Sequence, residues 1–233
     1  MALIELKNIY KQYKDVTALN YLNLTIKEGK IIGLLGPNGS GKTTLIKIIT
    51  TLLTDYQGEV LYQGRKMRPS DLANIVYMPD HPYLSNRYTV KQSINFYTTF
   101  FLDFNREKAI NLISKFNIPL NKEIKKLSKG TVEKLQLVLT LSRTAKFYIF
   151  DEPLAGVDPA FREFLFSLIN EHVAKDVTIM FSTHLIRDIE NIIDDVVFMK
   201  EGQIILHKPK TQINEDGKTV EELFKEVFKW SLN

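Results

Sequence analysis

Cysteine is absent from the 233 residues, which excludes disulfides and any thiolate metal site. Long apolar runs are absent too, since no stretch approaches the roughly 20 residues that a bilayer-spanning helix needs. The opening Met1-Ala2-Leu3-Ile4-Glu5 has no basic region leading into an apolar stretch. No signal peptide is expected there, and a cytoplasmic location is the expectation. Internal repeats, low-complexity tracts and obvious interdomain linkers are missing as well. Charge of one sign is scarce: the net charge is +4. The lysines are spread along the chain, with one modest cluster at Lys122, Lys125, Lys126 and Lys129. That distribution reads as a solvated surface, and no nucleic-acid partner is expected. What is present is 44% hydrophobic and 25% charged residues, enough for one large domain or two closely packed lobes with a full core.

Short apolar, β-branched runs alternate with helical patterns, which argues for an α/β protein. Strands are expected over residues 4–9, 22–26, 30–35, 59–62, 75–78, 147–150, 177–181, 196–199 and 203–206. Helices are expected over 42–53, 90–101, 106–116, 132–142, 159–172 and 185–193, with a last one near 220–230. The first two strands are expected to pair antiparallel. The stretch 79–142 is nearly all helix, which suggests a helical lobe inserted into a nucleotide-binding sheet. Phe96, Phe100 and Phe101 read as helix core. In the last helix, Val220, Leu223, Val227 and Trp230 fall near helical spacing and are expected to pack on the core.

Between an apolar strand and a helix opening stands Gly36-Pro37-Asn38-Gly39-Ser40-Gly41-Lys42-Thr43. It fits G-x-x-x-x-G-K-[ST], the phosphate-binding P-loop, in the strand–turn–helix context that the motif requires. Glycines let the backbone curl so that successive N–H groups point at one phosphate chain. The helix N-terminus adds partial positive charge. Lys42 would reach the β- and γ-phosphates, and the Thr43 hydroxyl would ligate Mg²⁺. A second constellation is the strand Phe147-Tyr148-Ile149-Phe150 ending in Asp151-Glu152-Pro153. A buried strand of an α/β sheet delivers such acids at its C-terminal tip, where these sheets place ligands. Asp151 could hold the Mg²⁺ water shell, and Glu152 could accept a proton from, or orient, an attacking water.

In this order the motifs resemble the nucleotide-binding subunit of an ATP-binding-cassette (ABC) transporter, of the drug- and peptide-exporting kind, over nearly the whole chain. The resemblance implies a RecA-like P-loop NTPase core with an antiparallel β subdomain and an inserted helical subdomain. It implies one ABC ATPase domain over 1–233, with the core and β subdomain at 1–78 and 143–233 and the helical subdomain at 79–142. Tyr13 sits where the family places an aromatic on adenine. Leu127-Ser128-Lys129-Gly130-Thr131 sits where the family has its signature, Leu-Ser-Gly-Gly-Gln. Asp151 and Glu152 match the Walker-B aspartate and catalytic glutamate. Leu154-Ala155-Gly156-Val157-Asp158 matches the loop that crosses to a second subunit, and His184 matches the switch histidine. The implied catalytic residues are therefore Lys42, Glu152 and His184. The implied nucleotide contacts are Tyr13, Gly36, Asn38, Gly39, Ser40, Gly41, Lys42, Thr43, Thr44, Ser128, Gly130 and Asp158. The implied metal ligands are Thr43, Asp151 and Asp80. ATP and Mg²⁺ are the implied cofactors. The implied partners are a second ABC ATPase subunit, identical or different, and a separate membrane permease that holds the chain at the cytoplasmic face.

Three positions depart from the family pattern. Asp80 stands where a glutamine is usual after the strand 75–78; its oxygen could still serve Mg²⁺ or its water. Lys129 and Thr131 replace the signature's first glycine and its glutamine, which suggests weaker or asymmetric hydrolysis. A soluble cassette ATPase that powers an assembly complex shares every one of these nucleotide motifs and is the alternative reading. A ribosome- or nucleic-acid-associated form is disfavoured by the single P-loop and the lack of a long heptad tract.

Overall fold

The computed structural model describes residues 1–153, 159–172 and 176–229. Two sheets organise it. The first is antiparallel: β1 (Ala2–Tyr13), β2 (Val16–Lys27), β4 (Gln57–Tyr62) and β5 (Arg65–Lys66), in the order β2-β1-β4-β5. The second joins β3 (Ile31–Leu35), β6 (Ile75–Met78), β7 (Phe147–Asp151), β8 (Thr178–Thr183), β9 (Asp195–Lys200) and β10 (Gln203–Pro209). Its order is β10-β9-β3-β8-β7-β6, parallel except for β10, which pairs antiparallel with β9 at one edge. All nine expected strands exist, and the α/β class holds. β5 had no sequence signal.

The side-chain period of two sends alternate residues of the parallel strands into two cores. Phe147, Ile149, Met180, Val197 and Met199 face one core with Ile32 and Leu34. There they meet α1 (Lys42–Ile49), whose Leu45, Ile46, Ile48 and Ile49 are fully buried between the two sheets. Tyr148, Phe150, Ile179, Phe181, Val196 and Phe198 face the other core. That side is covered by α2 (Val90–Phe100), α3 (Arg106–Lys115), α4 (Lys129–Leu141), α5 (Pro159–His172), α6 (Ile186–Ile189), α7 (Lys210–Glu215) and α8 (Val220–Lys229). A strand buried on both faces reads as a continuous apolar run, which is why β7 and β8 carried so clear a signal.

Helix ends differ from expectation for local reasons. α1 stops at Ile49, four residues early: Thr50 Oγ1 donates back to the Ile46 carbonyl at 2.8 Å, and Thr51 turns left-handed at φ +56°. α6 is a single turn because the chain must dive into β9. The Asp194 N–H donates to the Ile31 carbonyl at 2.7 Å, and its carboxylate accepts from the Ile31 N–H at 2.9 Å. α4 starts at Lys129 instead of Val132, because Ser128 caps it. The core assignment of Phe96 and Phe100 is wrong. α2 buries Val90, Ser93, Ile94 and Tyr97, and Phe96 and Phe100 lie on the flank of that face. They are 39% and 66% exposed and pack on one another with ring centroids 4.4 Å apart. Phe101 does pack on the core. At the C-terminus Val220 is buried and Leu223 and Val227 pack against the core as expected, while Trp230 lies outside the described residues.

Candidate functional site

β3 is buried on both faces, and after Leu35 the chain must turn at once into α1. Gly36 permits that turn at close quarters: a Cβ there would stand 2.3 Å from the Met199 carbonyl oxygen of β9. Gly39 is the opposite case. Its φ of +79° suits glycine, yet a Cβ on it would meet nothing within 4 Å. The loop is thus packed behind and open in front. The β9–β10 turn ties it from behind. The Gly202 N–H donates to the Ser40 carbonyl at 3.0 Å, and the Gly202 carbonyl accepts from the Asn20 N–H of β2 at 3.0 Å. α1 begins beside Gly41 with no side-chain cap, so its first-turn N–H groups are donors of the kind an anion satisfies. Asn38 and Gly39 are exposed, Thr43 and Thr44 half-buried in the helix opening.

Lys42 is buried and curls back over the loop. Its Nζ donates to the Gly36 and Pro37 carbonyls at 2.8 and 3.1 Å and lies 3.9 Å from Glu152 Oε1. Burial pulls its pKa down, while Glu152 and Asp151 push it up. Phosphate oxygens are stronger acceptors than these carbonyls, because a hydrogen bond to an ionised partner is roughly twice as strong.

Asp151 closes β7 and is 1% exposed. Its Oδ2 accepts from the Tyr77 hydroxyl at 3.4 Å, a weak contact. Its Oδ1 has no partner, and neither has the buried Oγ of Ser182 or of Ser40. Burial raises the Asp151 pKa. The Ser182 and Thr43 hydroxyls are near enough to lower it, and Asp80 and Glu152 raise it again. A buried carboxylate with an unmet oxygen, beside a threonine hydroxyl, suits a hard cation with an oxygen shell. Among the described residues no group of three or more His, Asp or Glu side chains could cage a metal. A cation here would take its remaining ligands from water and from a bound phosphate, the usual situation for Mg²⁺.

Glu152 follows in a left-handed conformation, φ +48°, strain of about 1–3 kcal/mol of the kind found at functional sites. Its N–H donates to the Ser182 carbonyl at 2.8 Å, which fixes the turn. Its carboxylate oxygens both lie 3.1 Å from His184 Nδ1. One sheet edge therefore gathers Lys42, Thr43, Asp151, Glu152 and His184. Asp80 lies close enough to raise the Asp151 pKa, with its Oδ1 2.7 Å from His81 Nδ1. Tyr13 ends β1 at the hairpin tip, half-exposed. β2 carries that hairpin past the loop, where a Cβ on Gly41 would stand 2.5 Å from the Ala18 carbonyl.

Ser128 and Gly130 are elsewhere, at the N-terminus of α4. The Ser128 Oγ accepts from the Thr131 N–H at 3.2 Å and lies 2.7 Å from Thr131 Oγ1. A Cβ on Gly130 would meet nothing within 4 Å. No hydrogen bond or ion pair among the described residues joins this helix start to the P-loop. Asp158 lies outside the described residues. Two participants had no sequence signal: Tyr77, one register position before the strand end, and Ser182, which is reached only through the β7–β8 pairing.

Comparison with known proteins gives the family. The family model described as ABC transporter matches residues 19–155. The lantibiotic transport ATP-binding protein SrtF of Streptococcus pyogenes is 30% identical over 224 residues, covering 95% of this chain and 96% of that protein. The SkfA peptide export ATP-binding protein SkfE of Bacillus subtilis is 26% identical over 239 residues, covering 99% of each. Among solved structures, the ATP binding subunit of an ABC transporter superposes with a TM-score of 0.85 over 97% of this chain and 99% of that one, at 24% identity.

Proposed function

The chain belongs to the ABC transporter family as an ATP-binding ATPase subunit, and from that premise we propose that it drives export of a small molecule, drug or peptide through a separate membrane subunit. The observation that carries the catalytic part is the array in which Glu152 lies between Lys42 and His184, next to the unpartnered Asp151 Oδ1. On this reading the P-loop from Gly36 to Thr44 wraps the triphosphate, and Lys42 leaves the Gly36 and Pro37 carbonyls for its β- and γ-oxygens. Glu152 orients the attacking water, and His184 holds the Glu152 carboxylate and donates toward the γ-phosphate. Catalysis rests on positioning and charge stabilisation, with no covalent intermediate on the protein. Thr43, Asp151 and, through a water, Asp80 would hold Mg²⁺. When bound, that ion would neutralise charge on the β- and γ-phosphates.

Tyr13 serves as the platform for adenine. Ser128 and Gly130, open at the start of α4, serve the nucleotide of a second ATPase subunit, with Asp158 in the crossing loop. Residues 1–78 and 143–233 act as the nucleotide-binding part, and 79–142 as the helical part that meets the permease at the cytoplasmic face. The exposed Phe96 and Phe100 of α2 give that part an apolar surface. Among the described residues no helix is long and apolar enough to cross a membrane. Export is favoured over other roles by relatives that are a lantibiotic transport and a peptide export ATP-binding protein.

The test is a detergent pull-down of tagged Glu152→Gln with ATP from native membranes, read by mass spectrometry. Co-purification of a polytopic membrane protein is the expected result. Recovery of only soluble assembly or ribosomal proteins would overturn the transport reading.

A further inference from the structure

The Tyr13 ring has a second neighbour that no nucleotide motif includes. Lys11 lies two residues earlier on β1, across a register shift between Lys11 and Gln12. It is 6% exposed, unusual for a lysine. Its Nζ sits 4.9 Å from the centroid of the Tyr13 ring and 2.7 Å from Asp55 Oδ2. Asp55 belongs to the connection between α1 and β4, and its side chain is 95% exposed. The ammonium is thus pinned between a carboxylate and one ring face. The tyrosine itself remains half-exposed.

We infer that Lys11 is a positioning residue for the nucleotide base: anchored by Asp55, it props the Tyr13 ring so that a purine can stack on the opposite face. The inference rests on the reading of Tyr13 as the adenine platform. A ring at a hairpin tip would otherwise sample several rotamers, and fixing it on binding weakens affinity. A cation on one face holds it beforehand, by attraction to the ring quadrupole. The Asp55 carboxylate balances the ammonium, so the pair adds little net charge to the field around the phosphates. Its effect is confined to the base. The same link also connects the segment after α1, which opens at the P-loop, with the hairpin that carries Tyr13.

The experiment measures binding of ATP and of inorganic triphosphate, each with Mg²⁺, by calorimetry on the full chain. Lys11→Met keeps most of the buried stem. It is expected to weaken ATP about three- to tenfold, as for one aromatic side chain that must be ordered on binding, and to leave triphosphate unchanged. Lys11→Arg retains a cation that can stack on the ring and is expected to restore ATP affinity. Asp55→Asn removes the anchor at an exposed position and is expected to weaken ATP about twofold without lowering the melting temperature. Tyr13→Ala is the reference. If Tyr13→Ala weakens ATP while Lys11→Met does not, or if Lys11→Met weakens ATP and triphosphate equally, the inference fails and the platform stands. If Tyr13→Ala leaves ATP affinity unchanged, the platform itself fails, and the role of Lys11 fails with it.

Discussion

Asp151 is buried at the end of β7 with one carboxyl oxygen unpartnered. Burial raises its folded-state pKa above the unfolded value, so the folded chain keeps this proton to higher pH than the unfolded chain does. The resulting loss of stability is absent below the unfolded pKa and complete above the folded one. Asp151→Asn should therefore stabilise the nucleotide-free protein at pH 7.5. A gain of about 1 kcal/mol, the low end for an unmet buried polar group, would raise the melting temperature by about 2–4 °C. The gain should shrink as the pH falls toward about 4, the ordinary range for aspartate. On the proposed function the same variant should lose at least about a hundredfold in ATP turnover, since that oxygen would help hold the Mg²⁺ that neutralises the phosphates. Asp80→Asn separates the two effects, because Asp80 is half-exposed. It should leave the melting temperature alone and raise the Mg²⁺ concentration needed for half-maximal turnover. Thermal scans across pH, with Mg²⁺ titrations of turnover, check both. An Asp151→Asn that melts lower at pH 7.5 would contradict the buried-charge account, and an unchanged Mg²⁺ dependence in Asp80→Asn would remove Asp80 from the metal site.

At the scale of elements, the loop between β3 and α1 is built from glycines with different duties. Gly36 is fixed by β9, since a Cβ would lie 2.3 Å from backbone that pairs with β3. Gly39 is fixed only by its left-handed φ. Gly36→Ala should force β9 and β3 apart and cost about 2–4 kcal/mol, in the range of other strained core changes. Gly39→Ala should cost about 1–2 kcal/mol, the backbone term alone, yet weaken ATP clearly because the new methyl stands on the open face of the loop. Melting temperatures and ATP affinity, measured together, should show opposite orders of damage for stability and for binding per kcal/mol lost. The contrast also explains what was legible in the sequence. A P-loop is contiguous, so residues 36–43 announce it, and the fully apolar β7 announces the tip that carries Asp151 and Glu152. The end of α1 was not legible, because a left-handed Thr51 leaves no hydropathy trace. Phe96 and Phe100 misled because periodicity cannot say which of two apolar stripes on a helix meets the core. Tyr77 and Ser182 reach Asp151 through strand register, Lys11 meets Asp55, 44 residues along the chain, and no local pattern encodes those contacts.

At the scale of the molecule, the two stretches that the proposed function treats as half-sites both face open space. The P-loop is packed behind and bare at Gly39. The start of α4 is capped by Ser128 and bare at Gly130. A helix N-terminus with a serine and a glycine is built to take an anion, and the triphosphate held on another subunit's P-loop is the anion the proposed function supplies. Two copies related by a two-fold axis, each P-loop facing the other's α4 start, would complete both half-sites at once, which is the closed isologous arrangement that most soluble oligomers adopt. The γ-phosphate then forms part of the contact, so association should depend on it and end with hydrolysis. Glu152→Gln, which would lack the carboxylate that orients the water, should elute with twice the 26.9 kDa mass of the chain in ATP and Mg²⁺, and as a monomer in ADP. Gly130→Glu in that background should bind ATP and remain monomeric. A Cβ at this position meets nothing within 4 Å, so the variant's melting temperature should match the parent's, while the added charge would face the partner's triphosphate. Light scattering coupled to gel filtration reads each case. Dimers in ADP, or dimers despite Gly130→Glu, would rule out a nucleotide-sandwiched contact. A Glu152→Gln monomer in saturating ATP would rule out self-pairing and leave a different ATPase subunit as the partner, a result that Lys129 and Thr131 would then help to explain, because a divergent signature need serve only one of two unequal sites.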